Sequence, residues 1–434
     1  MLQGGETGLQ AAVWMRRLVP GRGVGGWPLG LLNAIQIARS FGSGLLAVIF
    51  ALYVAHWHLG PAGIGVLGGL SVVVGGFYTV LFTRGAGRLG AEPFLAASGL
   101  LMVAAGLVYA NAHSLWQVWT ASLCGFVPPA GGLFVNALEE GMIAQWPSAG
   151  RTRAFAFYGM LGTAAGAVGA LSAGGPDLLG WSGFNGLRVL LWIYAGLGGV
   201  VLAAACLLYW GSSGRRAGIP ASSPEPSGDA VAPFGLDPGS RRLVHRLARL
   251  FVADSLGSGM VTTTLLVYWL HARYHLGTPA LGTIFFAVDV AAALSFPLAA
   301  RLSRSIGLLN TAVFTHIPSS LLLMAVPFAG SSQMAAALLI ARGLLVEMDV
   351  PTRQSYLAAV VNPAGRAEAA GVTSLGKQAG RTAGPVLGGL LLKTAGASLP
   401  FLIGGTMKIL YDVSLWRSFR RIPEQTESNL PYPP

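Results

Sequence analysis

The chain has 434 residues, of which 53% are hydrophobic and 62 are glycine, while only 10% are charged, against about 25% charged in soluble domains. Apolar stretches approaching the roughly twenty residues that cross a bilayer recur along it, which excludes a soluble globular fold and indicates an integral membrane protein with the lipid bilayer as its partner. The formal net charge of +12 is spread over alternate loops rather than gathered on one face, which argues against nucleic acid as a partner.

Residues 1–29 read as a cytoplasmic tail with Arg16, Arg17 and Arg22, and no small-residue cleavage site marks it as a removable signal peptide. Apolar windows then predict helices near 30–54, 62–83, 94–111, 116–142, 153–175 and 187–210, so that 30–210 forms a first bundle of six. Residues 211–246, with Arg215, Arg216 and five prolines from Pro220 to Pro238, cannot bury a core and read as a cytoplasmic linker. A second bundle over 247–417 follows, with helices near 247–271, 280–301, 307–329, 333–360, 366–392 and 397–417, and a proline-rich cytoplasmic tail over 418–434. The expected fold class is therefore all-α, with twelve transmembrane helices in two pseudo-symmetric bundles. With the N-terminus inside, twenty of the 28 lysines and arginines fall in tails and loops on the cytoplasmic side, which by the positive-inside rule puts both termini there.

The two bundles are copies of each other. Arg39-Ser-Phe-Gly-Ser-Gly recurs as Asp254-Ser-Leu-Gly-Ser-Gly at an offset of 215, and the same offset carries Tyr53 onto Tyr268, His56 onto His271, Arg151 onto Arg366, Gly169 onto Gly384 and Gly174 onto Gly389. A period this long means two homologous bundles rather than a solenoid. The copies differ in the sign of the charge that heads the hexapeptide. Arg39 and Asp254 each lie about 12 Å along the helix from its cytoplasmic start, and are expected to form an ion pair that closes the cytoplasmic end when the outer mouth is open.

Two six-helix halves, short loops and a long basic linker resemble the major facilitator superfamily over nearly the whole chain. The loop after the second helix reads Gly87-Arg88-Leu89-Gly90, and its copy Ser303-Arg304-Ser305-Ile306-Gly307, each without the aspartate of that superfamily's loop pattern. The pattern Gly-x8-Gly-x3-Gly-Pro-x2-Gly-Gly, associated with the fifth helix of proton-coupled exporters, is matched at Gly371, Gly380, Gly384, Pro385, Gly388 and Gly389, but in the eleventh helix. The stretch Met348 to Tyr356 is similar to a tenth-helix signature of a bacterial branch. The resemblance implies a monomeric secondary transporter of a bacterial inner membrane that moves a small-molecule substrate by rocking one bundle against the other; carboxylates outnumber cations within the spans, seven to five, which makes protons the expected coupling partner, with export of an organic compound as the expected direction.

Twelve ionisable residues fall inside the predicted spans: Arg39, Glu139, Glu140, Asp254, Asp289, Arg342, Glu347, Asp349, Lys377, Arg381, Lys408 and Asp412. Facing lipid unpaired, the set would cost on the order of 30 kcal/mol, so they must face one another or water. In this helix the repeat is shifted by two residues, since Arg84 answers to Arg301, and Asp289 stands where it has Val72; burial makes its ionised form costly, a property that proton coupling uses. Arg342, Asp349 and Arg353 fall on one face of the tenth helix at about 100° per residue. Glu347 is rotated away from that stripe and is the better carboxylate to exchange a proton, while Pro351 is expected to kink the helix there. Lys377 and Arg381, four apart, need an anion opposite, from Asp349, Glu347 or a substrate. Lys408 and Asp412, also four apart, read as an internal pair, and Glu139 and Glu140 as either interfacial or functional carboxylates.

Cys124 and Cys206 read as free thiols, and no cofactor, metal motif, catalytic triad or nucleotide-binding loop is present, so the chain is not read as an enzyme. Two other readings stay open: a metal or inorganic-ion carrier, favoured by His56, His58, His271 and His275 at the outer ends of the first and seventh helices, and a membrane sensor that transports nothing.

Overall fold

The computed structural model describes residues 26–128, 132–144, 148–181, 183–216, 238–348, 366–394 and 396–419, and among these the regular structure is helical throughout. The first half contains α1 (Gly26–His56), α2 (Pro61–Leu89), α3 (Glu92–Ala110), α4 (Leu115–Ser122), α5 (Leu133–Ala144), α6 (Ser148–Ser172), the single turn α7 (Gly175–Leu178) and α8 (Phe184–Arg216). The second contains α9 (Pro238–Met260), α10 (Thr263–Tyr274), α11 (Thr278–Ile306), α12 (Leu308–Ala325), α13 (Ser332–Val346), α14 (Arg366–Thr394) and α15 (Leu399–Phe419). Among the described residues each predicted span contains helix, and the tenth is described only as far as Met348. Seven stretches of described helix are long and apolar enough to cross a membrane by length and composition alone.

Several boundaries differ from the sequence reading. The fourth span is broken between α4 and α5, where Gly125 and Gly132 take φ of +79° and +81°, values that side chains on Cβ disfavour. The seventh span breaks at Val261, and Thr262 restarts the helix by accepting a hydrogen bond from the Leu265 N–H at 3.4 Å. Helix also enters the expected linker from both sides, since α8 runs to Arg216 and α9 begins at Pro238, where proline's fixed φ suits a helix start. The kink expected at Pro351 lies outside the described residues.

Packing repeats as the sequence does. Helix α1 lies on α6 and α8, and α9 on α14 and α15; α3 lies on α8, and α12 on α15; α2 lies on α5, and α11 on α13. Small residues permit this, because in lipid close van der Waals approach replaces the hydrophobic drive between helices. A Cβ on Gly169 would collide with the Phe41 carbonyl, and one on Gly384 would stand 2.8 Å from the carbonyl of Leu256, the residue 215 positions after Phe41. The duplicated hexapeptide is thus a packing frame: Gly44 and Gly259 meet backbone of α6 and α14, while Gly42 and Gly257 face α8 and α15.

The halves meet through α2 against α14 and α6 against α11. Gly174 packs on Pro279, and Gly389 on Pro61, so that a glycine late in α14, or just past α6, meets the first turn of a helix in the other half at each seam. From Gly389 the contact runs through Gly65 on Pro385 to Gly69, whose Cβ would lie 2.7 Å from the Thr382 carbonyl, but at Gly76 the nearest atom, Gln378 Nε2, is 3.8 Å away. One end of the molecule is therefore sealed backbone to backbone, and the seam loosens toward the other.

These contacts separate two effects of a large side chain. Gly384→Leu, within one half, is expected to lower the thermal unfolding temperature of the detergent-purified protein by several degrees or to abolish folding, as overpacking costs about 1–3 kcal/mol or more. Gly174→Leu, between halves, should leave each half folded and open the sealed end. In a background with both native cysteines replaced by alanine, Ala62→Cys should then react faster with a membrane-impermeant maleimide.

Candidate functional site

Beneath the sealed end lies a cavity of about 640 Å3 between the two halves. Along α1 its lining runs from Val48 to Gln36, away from the sealed end, and across it stand α6 and the α10 and α11 segments of the other half. Its wall combines an apolar part, including Ala47, Val48, Pro128 and Phe285, with hydroxyls of Ser40, Ser43, Thr163, Thr263 and Thr264. Three ionisable side chains reach it: Arg39, Glu140 and Asp289.

Arg39, 4% exposed, is held by a network inside its own half. Its Nη2 lies 2.8 Å from Glu139 Oε2 in an ion pair, and also donates to Gln36, to Asn136 and, at 3.4 Å, to the Tyr158 hydroxyl. The Tyr158 hydroxyl donates in turn to Glu139, which is fully buried. The break in the fourth span builds this site: Gly132 brings the chain back over Phe126 beside the Arg39 stem and starts α5, which carries Asn136, Glu139 and Glu140. Two buried atoms of the pair, Arg39 Nε and Glu139 Oε1, have no hydrogen-bond partner.

The expected Arg39–Asp254 pair is not formed in this conformation. Asp254 accepts from Lys408 Nζ at 3.1 Å, and Lys408 also donates to Ser258 Oγ at 2.6 Å. Equivalent positions in pseudo-symmetric halves point to equivalent places within each half, so the repeat that aligns the two residues in sequence turns each toward its own bundle. Lys408 and Asp412 likewise reach outward from α15: Lys408 to α9, and Asp412 to His316 on α12, whose Nδ1 lies 2.8 and 3.0 Å from its two carboxylate oxygens. His316 was not among the sequence candidates, because a histidine within an apolar run was not counted with the charged residues. Its signal was a lone imidazole in the middle of a predicted span, where a polar group requires a buried partner.

Asp289 and Glu140 have no hydrogen-bond or ion-pair partner among the described residues, and they face the cavity from opposite halves. Gly343 of α13 packs on α11 so closely that a Cβ there would stand 2.8 Å from the Val288 carbonyl, which sets Arg342 beside the turn that carries Asp289. Glu347, which ends α13, lies within electrostatic range of both Asp289 and Arg342. Lys377 places its ammonium 4.6 Å from the centre of the Phe251 ring, a cation–π contact, and Arg381 is exposed one turn on. Asp349 and Arg353 lie outside the described residues, so the predicted stripe of α13 is described only at Arg342.

The four outer histidines have local roles. His58 and His275 take left-handed φ of 58° and 55° just past the ends of α1 and α10, and the His275 N–H bonds the His271 carbonyl at 2.9 Å. His56 stacks on Phe184 at 3.8 Å, and His271 Nδ1 lies 2.9 Å from the Leu276 carbonyl. Among the described residues no group of three or more His, Cys, Asp or Glu could hold a metal ion. Cys124 and Cys206 are free, as expected.

A bundle duplicated in this way, sealed at one end and enclosing a charged cavity between its halves, defines the class of multi-pass membrane transporters with two six-helix halves. Residues 250–433 match the profile of the Major Facilitator Superfamily. The fold is similar to that of the nucleoside transporter NupG, with a TM-score of 0.68 at 14% identity over 91% of this chain and 99% of that one. It is also similar to a bacterial homologue of the human lysosomal transporter Spinster in an inward-facing, unoccupied conformation, with a TM-score of 0.66 at 15% identity over 91% and 95% of the two chains. An uncharacterized membrane protein of Saccharomyces cerevisiae, YJR124C, is 25% identical over 414 residues, covering 89% of this chain and 92% of that protein. The second half of the chain thus carries the profile of the Major Facilitator Superfamily, and the chain as a whole shares the fold of these solved transporters. The similarity to a yeast protein gives no support to the bacterial qualifier that the Met348–Tyr356 stretch had suggested.

Both internal networks can be tested for stability. Glu139→Gln or Arg39→Met alone should destabilise the protein by about 3–5 kcal/mol, because each leaves a buried charge without its partner, whereas the double replacement Arg39→Met with Glu139→Leu should recover most of that loss. Denaturation of the purified protein in detergent measures both. By the same reasoning Asp412→Leu should cost more than Asp412→Leu combined with His316→Phe, and equal losses would show that the two residues are not coupled.

Proposed function

We propose that this protein is a secondary active transporter that carries a small solute through the cavity between its halves by alternating access, coupled to protons and directed toward export of an organic compound. The single observation that carries this reading is the placement of Glu140 and Asp289, carboxylates from opposite halves with no ion-pair or hydrogen-bond partner among the described residues, on a cavity just below a seam sealed by glycine and proline backbone. Rocking one half on the other would open that seam and close the far end, which exposes the same carboxylates alternately to the two sides. Carboxylates without a partner can bind and release protons without first breaking an ion pair. The buried Arg39–Glu139 and Asp254–Lys408 pairs, by contrast, hold helices of one half together and move as part of a rigid body.

Twenty of the 28 lysines and arginines fall on the side of both termini, which supports an orientation with the termini in the cytoplasm and thus a cavity that extends from the sealed outer end toward the cytoplasm. The inner or plasma membrane is the compartment this orientation suits. The reading involves no covalent chemistry, hence no enzymatic role, and no resident cofactor; the carrier acts as a monomer, since the solute path lies within one chain.

Proteoliposomes containing the purified protein and a trapped pH indicator test the coupling. Imposing a proton gradient should drive flux of a transported solute, and adding that solute should move protons; Asp289→Asn should reduce both by at least tenfold while leaving the thermal unfolding temperature within a few degrees of the parent. Flux that never responds to the gradient, or that moves no protons, removes proton coupling. Failure of every solute in a broad screen to move removes the transport reading.

A further inference from the structure

The charges around the cavity do not balance, and the imbalance has a sign. On one wall Arg39 is opposed by two carboxylates, Glu139 and Glu140, and only Glu139 is bonded to it. On the other wall the charged lining residue is Asp289, which forms no hydrogen bond or ion pair among the described residues. The cavity lining thus sets two carboxylates, Glu140 and Asp289, against a single arginine that is already bonded to Glu139. An anion desolvated in such a site meets repulsion from both sides, whereas a cation finds a carboxylate on each.

Independent of the acids, the wall holds polar atoms with nothing to bond. Thr264, 2% exposed and part of the cavity lining, has a buried hydroxyl without a hydrogen-bond partner, and Arg39 Nε on the facing wall is also without one. Buried polar atoms left unpaired cost free energy unless a ligand or water meets them. The α9–α10 break places Thr264 here: with Thr262 capping α10, Thr263 and Thr264 occupy its first turn, opposite the α1 and α6 residues of the same cavity. Beside these groups the apolar side chains of Ala47, Val48 and Phe285 form a second kind of surface.

We infer that the cavity takes an amphipathic organic cation, with a protonated amine held between Glu140 and Asp289, a hydrogen bond to Thr264, and an apolar body against Ala47, Val48 and Phe285. This rests on the transporter reading and adds the substrate class to it. At about 640 Å3 the cavity is in the range of sites for drug-sized molecules. The same two carboxylates serve either the amine or protons, so the solute and the coupling ion compete for one site, and an outward-moving cation would leave the acids to take up protons in its place. Charge balances through the cycle: binding a monocation displaces one proton, and its release readmits one.

Equilibrium binding tests the substrate class apart from transport. Dansylcadaverine, a primary ammonium at neutral pH, its neutral N-acetyl derivative, and the anionic dansyl-6-aminohexanoate share one fluorophore and nearly one size. Energy transfer from the 11 tryptophans of the chain to the dansyl group reports binding to the full-length protein in nanodiscs, with empty nanodiscs as the blank. The cation is expected to bind at least tenfold more tightly than either analogue, and Asp289→Asn and Glu140→Gln are each expected to remove most of that preference while the weak binding of the neutral analogue stays unchanged. Thr264→Val should weaken the cation by a few fold. Equal or tighter binding of the anion or the neutral compound, no binding of any of the three, or a cation preference that survives both carboxylate replacements would overturn the assignment. Because no gradient is imposed, those results leave the coupling experiment in proteoliposomes standing, and a failure of proton coupling there leaves the charge preference standing.

Discussion

Backbone-to-backbone approach at glycine is the constraint on which the arrangement depends. In a bilayer helices gain little from hiding apolar side chains, so they associate where small residues let their backbones touch. Here the same device serves two levels. Phe41 with Gly169 and Leu256 with Gly384 hold the two halves together internally, and Gly174 with Pro279 and Gly389 with Pro61 close the halves on each other. The eleventh-helix glycine and proline pattern belongs to both levels at once: Gly384 and Gly388 face α9, while Gly389 and the carbonyl of Pro385 face α2. One helix therefore anchors its own half and forms the seam with the other, which is the position from which a rocking motion is controlled.

The ion pairs follow from this division into rigid halves. A charge pair inside a half stays closed through a rocking motion, and breaking it would leave two buried charges exposed to low dielectric, at a cost of several kcal/mol. Arg39–Glu139 and Asp254–Lys408 are of this kind, and so is His316–Asp412. They pin helices within their own halves. The groups that line the cavity without a partner among the described residues are Glu140 and Asp289, and these are the ones the proposed exchange with solute and protons would use. The division between pinned and unpartnered charge is a consequence of where each side chain points, and it explains why the residue that first marked the duplication, Arg39, is a strut at the wall of the cavity and its counterpart, Asp254, is a strut within the other half.

Much of the architecture was legible along the chain. The long apolar stretches located helix within each expected span among the described residues, the offset of 215 identified equivalent residues that do occupy equivalent packing sites, and the low share of charge announced the membrane. Asp289 could be singled out because it departs from the repeat at Val72. The breaks were less visible. Nothing periodic marks the stop after Met260, where Thr262 competes for the backbone as a cap, and the run Gly125 to Gly132 reads as apolar enough to continue a span although its glycines turn the chain.

What the sequence by itself determined is the set of helices, their duplication and the presence of buried charge, because these depend on hydrophobicity and local spacing. Partner choice was decided only by the tertiary structure. Arg39 is 215 positions from Asp254 but bonds Glu139, and Lys408 passes over Asp412 on its own helix for Asp254 on another. The reason is geometric: a charge in lipid must find its opposite within about 4 Å, and which groups come that close depends on how helices distant in sequence are turned about their axes when glycine faces meet. A one-dimensional pattern can show that a charge needs a partner, but only the packed bundle selects it.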